Sequence, residues 1–132
     1  MKKSGILHAE LMKVIGEMGH TDQITIADAG LPVPMDVQRV DLALVDNIPA
    51  FIDVVKAVAA ELALEKYYYA EELPGRNPAV YAALTEALAG IECEAIPHVK
   101  LKEMSHSSRA VVRSGECSPF ANVILQSGVS FA

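Results

Sequence analysis

Helical and strand periodicities alternate along this chain, and a proline-rich block directly after the first strand dictates where the chain must turn. From Ala9 to Met18, Leu11, Val14, Ile15 and Met18 recur at steps of three and four while Glu10, Lys13 and Glu17 take the opposite face, so the segment is an amphipathic helix. Gly19 is its natural stop. Gln23 to Ala27 alternates at period two and is a strand. Asp28-Ala29-Gly30-Leu31-Pro32-Val33-Pro34 cannot be helix, because each proline restricts itself and the residue before it to extended geometry. A stiff loop after a strand holds a carboxylate and backbone amides in place, as a small polar ligand requires.

The same alternation continues. Val37 to Leu44 is expected as a second strand with Val40, Leu42 and Leu44 on one face, and Asn47-Ile48-Pro49 opens a helix that carries Phe51, Val54, Val55, Val58 and Leu62 inward. Lys66 to Ala70 is expected as a strand buried on both faces; β-propensity accounts for its three tyrosines more simply than a stacking platform does. Asn77-Pro78 is an N-cap and first-turn proline for a helix with Val80, Tyr81, Leu84, Ala87 and Leu88 inward, ended by Gly90. Cys93 to Ile96 is a short strand. Pro97 to Met104 is a turn and short helix whose four-residue spacing puts His98 and Lys102 on one face. Ala110–Arg113 and Asn122–Gln126 close the chain as strands. The expected fold class is α/β, a three-layer α/β/α sandwich with a largely parallel sheet, in which residues 1–132 form a single domain.

Bulk properties narrow the function. The chain has 132 residues, 52% hydrophobic, which is enough for one substantial core. Its 17 acidic and 11 basic residues give a net charge of -6, and no basic cluster exceeds Lys2-Lys3, so nucleic acid is not an expected partner. No apolar run approaches the ~18 residues of a membrane span. Met1-Lys2-Lys3 resembles the start of a secretory signal, but His8, Glu10, Lys13 and Glu17 interrupt the apolar core such a signal needs. Cys93 and Cys117 form no Cys-x-x-Cys pair and are expected as reduced thiols. A cytoplasmic protein is expected.

His20 and Asp28 stand at the two ends of the first strand. Histidine titrates near neutrality, a helix C-terminus favours its charged form modestly, and a carboxylate can orient it. Each also has a plain structural reading, as a residue past a helix end and a turn former. No His pair has metal-ligand spacing, no Gly-x-Ser-x-Gly elbow is present, and Gly115 lacks the neighbours of a phosphate loop. An acid/base pair, a second histidine at His98, the amide of Asn122 and the amine of Lys102 remain, a set suited to a neutral polyhydroxylated ligand. Opening and closing a hemiacetal needs only proton traffic, for which general acid/base catalysis contributes about 10²- to 10⁴-fold.

Gly19-His20-Thr21-Asp22, Ala27-Asp28-Ala29-Gly30-Leu31-Pro32-Val33-Pro34 and Arg113-Ser114-Gly115-Glu116-Cys117-Ser118-Pro119-Phe120-Ala121-Asn122 together resemble the D-ribose pyranase family, and the resemblance runs the whole chain. Fucose mutarotases share the Gly-His and Asp-Ala elements but resemble the Gly30-Leu31-Pro32 block much less. The resemblance implies interconversion of ribose pyranose and furanose forms without metal or organic cofactor, in ribose uptake and utilisation. It implies that His20 is the proton donor, that Asp28, His98, Phe120, Ala121 and Asn122 bind the sugar, and that subunits close into homo-oligomeric rings with the pocket at their boundaries. Lys102 also falls on a family-like pattern. The family usually has Tyr where this chain has Phe120, so one hydroxyl near the sugar is missing, at a cost of about 0.5 to 1.5 kcal/mol. The alternative functions are a mutarotase for another monosaccharide such as fucose, and a non-catalytic sugar-binding or regulatory module.

Overall fold

Six strands make one sheet in the order β2-β5-β1-β6-β3-β4, where β1 is Gln23–Ala27, β2 Gln38–Asp41, β3 Leu64–Ala70, β4 Glu92–Ile96, β5 Ala110–Arg113 and β6 Val123–Ser127. The computed structural model describes residues 1–131. β2 and β1 each pair parallel to β5, and β3 pairs parallel to β4, while β6 lies antiparallel between β1 and β3. Five strands therefore point one way. The reversed β6 places its first residues beside the last residues of the other five, where ligand sites of such sheets gather.

One face of the sheet is covered by α1 (Ala9–Glu17), α2 (Phe51–Ala59) and α4 (Pro78–Ala87). Leu11, Val14, Phe51, Val54, Val58 and Leu84 pack there on Ile24, Ile26, Val40, Val112, Val123 and Leu125. Burying an aliphatic or aromatic side chain of this size contributes about 1.5–3 kcal/mol, so this face supplies most of the stability. The other layer is thin. The short α3 (Leu73–Arg76) leads into α4 and buries Leu73 in the first face's core, while on the second face α5 (His98–Met104) packs Leu101 against Ala70, Ile96 and Ile124, and Leu31 of the proline block lies on Ala27 and Val111. His8 caps α1, its Nδ1 accepting the Leu11 N–H at 3.2 Å.

Several boundaries differ from expectation for tertiary reasons. β2 ends at Asp41, whose carboxylate accepts the Ala43 N–H and turns the chain outward, so Leu44 is 77% exposed instead of facing inward with Val40. β3 is not buried on both faces: only Tyr67 and Ala70 are buried, because its second face has α5 alone to cover it. Leu62 is buried from the turn after α2, which ends at Ala59. After α1 the left-handed residue is Thr21 (φ 72°), not Gly19. Asn77 precedes α4 as expected but does not cap it; its amide donates to Ser118 Oγ at 2.9 Å and to the Pro119 carbonyl at 2.8 Å.

Candidate active site

At the carboxyl end of β1, the Asp28 N–H donates to Asn122 Oδ1 at 2.8 Å and Asn122 Nδ2 donates to Asp28 Oδ2 at 3.0 Å. The other Asp28 oxygen accepts the Gly30 N–H at 2.9 Å. Asn122 is fully buried, so this reciprocal pair fixes the carboxylate from inside the protein. Two features of the preceding loop bring Asn122 there. Phe120 is left-handed (φ 59°), and the Asn122 N–H closes a tight turn onto the Phe120 carbonyl at 2.9 Å, with Ala121 buried between them. Upstream, Gly115 passes so close to the Ile48 backbone that a Cβ would stand 2.5 Å from its carbonyl oxygen, which no other residue tolerates without displacing the main chain.

His98 opens α5 beside this pair. Its ring meets Phe120 edge-on with centroids 5.0 Å apart, and its main-chain N–H donates to both carboxylate oxygens of Glu72 at 3.0 and 3.3 Å. Nδ1 of the His98 ring is buried and has no partner. Burial first, then the positive charge of Lys102, lowers the His98 pKa from the ordinary 6.5, against the opposing pull of Glu72 and Asp28. The imidazole is therefore neutral at pH 7 and can both donate and accept toward a hydroxyl. The Arg76 guanidinium stands 5.7 Å over the Phe120 ring. Asp28, His98, Phe120, Ala121 and Asn122 thus converge, with Lys102 within electrostatic reach.

His20 does not join them within one chain. It precedes β1 whereas Asp28 follows it, and the strand alone spans about 13 Å at ~3.3 Å per residue. His20 lines a cleft of about 490 Å³ with Gly19, Glu61, Ser127 and Phe131, and its side chain is 54% exposed. The carboxylate beside it is Glu65 and not Asp28: His20 Nε2 lies 2.9 Å from Glu65 Oε2. Asp28 therefore does not orient His20 within one chain, because a fully extended β1 keeps its two ends apart. Asp22 shapes the turn that carries His20, accepting the Gly19 N–H at 2.9 Å and pairing with Arg109 at 3.0 Å; these two partners lower its pKa.

Glu72, Arg76 and Glu65 were not singled out from the residues alone, since each meets its partner across a long stretch of sequence. Among the described residues no group of three or more His, Cys, Asp or Glu side chains converges as metal ligands would.

Relatives of this chain match it over essentially their full length. D-ribose pyranase from Laribacter hongkongensis is 50% identical over 131 residues, covering 99% of this chain and 100% of the relative. D-ribose pyranase from Geobacillus kaustophilus is 46% identical over 132 residues, covering 100% and 97%. The structure of Bacillus subtilis RbsD complexed with D-ribose superposes with a TM-score of 0.96 at 44% identity, covering 99% of this chain and 100% of that one. Fucose mutarotase from Streptococcus pneumoniae, in complex with L-fucose, shares the fold at a TM-score of 0.82 and 22% identity over 95% of each chain. With residues 1–130 matching the family model as well, the chain belongs to the RbsD / FucU transport protein family.

Proposed function

We propose that this protein interconverts the pyranose and furanose forms of D-ribose by general acid/base ring opening and closing, with His20 as the proton donor. The observation that carries this reading is the Asp28–Asn122 pair beside a neutral His98, held in a fold that superposes at a TM-score of 0.96 on a ribose-bound relative. A carboxylate, an amide and a neutral imidazole are the groups that bind sugar hydroxyls, and Phe120 supplies an apolar wall. In the forward step an acid gives a proton to the ring oxygen as its bond to C1 breaks, while a base takes the proton of the C1 hydroxyl and leaves an aldehyde. Attack of the C4 hydroxyl on C1 reverses the proton movements and closes the furanose.

His20 and the sugar-binding residues lie at opposite ends of the sheet, so the complete site needs His20 of the partner subunit, and the assembly is a closed homo-oligomeric ring. Exposed apolar side chains support such contacts at both ends: Leu44, Val45, Ile48 and Val99 at one, Val129 and Phe131 at the other. The setting is cytoplasmic, where ribose is used; no helix among the described residues is long and apolar enough to cross a membrane.

Saturation-transfer NMR of ribose tests the reading. The wild type is expected to accelerate pyranose-furanose exchange, and His20→Ala to lose about 10²- to 10⁴-fold of that acceleration. Wild-type protein that speeds exchange of fucose but not of ribose, or that binds ribose without speeding its exchange, would overturn it.

A further inference from the structure

We propose that Glu65 is the positioning residue for His20, taking its Nε2 hydrogen so that the proton exchanged with the sugar moves at Nδ1. The inference rests on the reading of His20 as the proton donor. It stands on three observations at the amino end of the sheet.

The first is a β-bulge. Leu64 pairs with Ser127 and Lys66 with Gln126, which leaves Glu65 as the extra residue of β3 with no partner on β6. A bulge re-aims the side chain it carries, and here the side chain turns toward the His20 loop. Gly128 makes room for it: a Cβ at Gly128 would lie 3.2 Å from Glu65 Cβ.

The second is a chain of hydrogen bonds across three neighbouring strands. Gln23 Nε2 donates to Gln126 Oε1 at 3.0 Å, Gln126 Nε2 donates to Glu65 Oε1 at 2.8 Å, and Glu65 Oε2 faces His20 Nε2 at 2.9 Å. An ordinary surface pair joins two free side chains and contributes little. Glu65 differs because one of its oxygens is already held by a side chain that is itself held. The Gln126 and His20 contacts also lower the Glu65 pKa, which favours its charged carboxylate form.

The third is the backbone under His20. Thr21 is left-handed, and its N–H donates to the Ser127 carbonyl at 2.8 Å, tying the turn to the strand that carries Gln126. With main chain and Nε2 both held, Nδ1 is the ring nitrogen left to meet a substrate. A carboxylate on one nitrogen selects the tautomer and supports the imidazolium that proton transfer requires.

The experiment combines ribose exchange kinetics with ¹⁵N NMR of the His20 ring in wild type, Glu65→Ala and Glu65→Gln. In the wild type the neutral ring is expected to carry its hydrogen on Nε2. Glu65→Ala is expected to mix the two tautomers and to lower kcat by about 10- to 100-fold, a share of what proton transfer supplies, with KM for ribose within about twofold. Glu65→Gln, which still accepts a hydrogen bond, keeps the tautomer and loses less. An unchanged ring spectrum and kcat in Glu65→Ala would overturn the inference, as would loss of rate accompanied only by a lower Tm or a changed assembly state. If the wild type fails to speed ribose exchange, the functional reading falls on its own account, and the ring spectrum still decides whether Glu65 sets the tautomer.

Discussion

The two ends of the sheet are built on different plans. At the carboxyl end, Asp28 is clasped by a fully buried Asn122, His98 is anchored through its backbone by Glu72, and Phe120 is set by a left-handed turn. At the amino end, His20 stands more than half exposed on a turn, steadied by Glu65. The first end is organised before any ligand arrives, because both Asp28 oxygens and the Asn122 amide have protein partners, while Nδ1 of His98 is buried without one. The second end carries His20, the acid of the proposed function, which in that reading meets a sugar only when another surface is brought to it. In the proposed function one chain therefore displays two half-sites.

Mixing variants is the sharpest way to break this comparison. In the proposed function His20→Ala removes the acid and Asp28→Ala removes the sugar clasp, so each alone is expected to be nearly inactive. If the halves come from different copies, rings reassembled from an equal mixture regain about a quarter of the wild-type exchange rate, since about one boundary in four joins two intact halves. No recovery in mixed rings would place both halves within one chain.

A smaller effect is expected from Phe120→Tyr. The added hydroxyl restores the polar contact implied for the family, and ribose is expected to bind about 2- to 10-fold tighter, matching about 0.5 to 1.5 kcal/mol for one hydrogen bond. Titration calorimetry measures it. Unchanged affinity would mean that the Arg76 guanidinium over the ring already serves the missing contact.

The smallest effect concerns His98 and acid. Its pKa is lowered from 6.5 by burial and Lys102, so ribose affinity should hold as pH falls through 6.5 and weaken only further down, where the ring takes a proton. The stability contribution has the same sign: below 6.5 the unfolded chain binds a proton at this residue before the folded chain does, so folding loses free energy as pH falls from 6.5 to the folded value. Lys102→Met is expected to move the affinity limb toward 6.5, leaving a part that burial maintains.

Much of this architecture was legible before any coordinates because it depends on near neighbours in sequence. The stripe Leu11, Val14, Ile15 marks α1, and the boundaries of β5 fall at Ala110 and Arg113 as expected. Reversal of β6 was less plain, although the segment Ser114 to Asn122 is too short for the helical crossover that a parallel return needs. The exposed face of β3 was misjudged, since three tyrosines in a row report β-propensity and not what covers them.

The candidate site divides along the same line. The sequence by itself determined which residue types were available to chemistry, His20, Asp28, His98 and Asn122, and that stiff loops would carry them, because turn and proline preferences act over a few residues. Only the tertiary structure decided the partnerships: Asp28 with Asn122, His98 with Phe120 and Glu72, and His20 with Glu65 at the far end of the strand. These contacts join positions separated by between 22 and 94 residues. Their energy is gained after the sheet has assembled, so no local preference announces them.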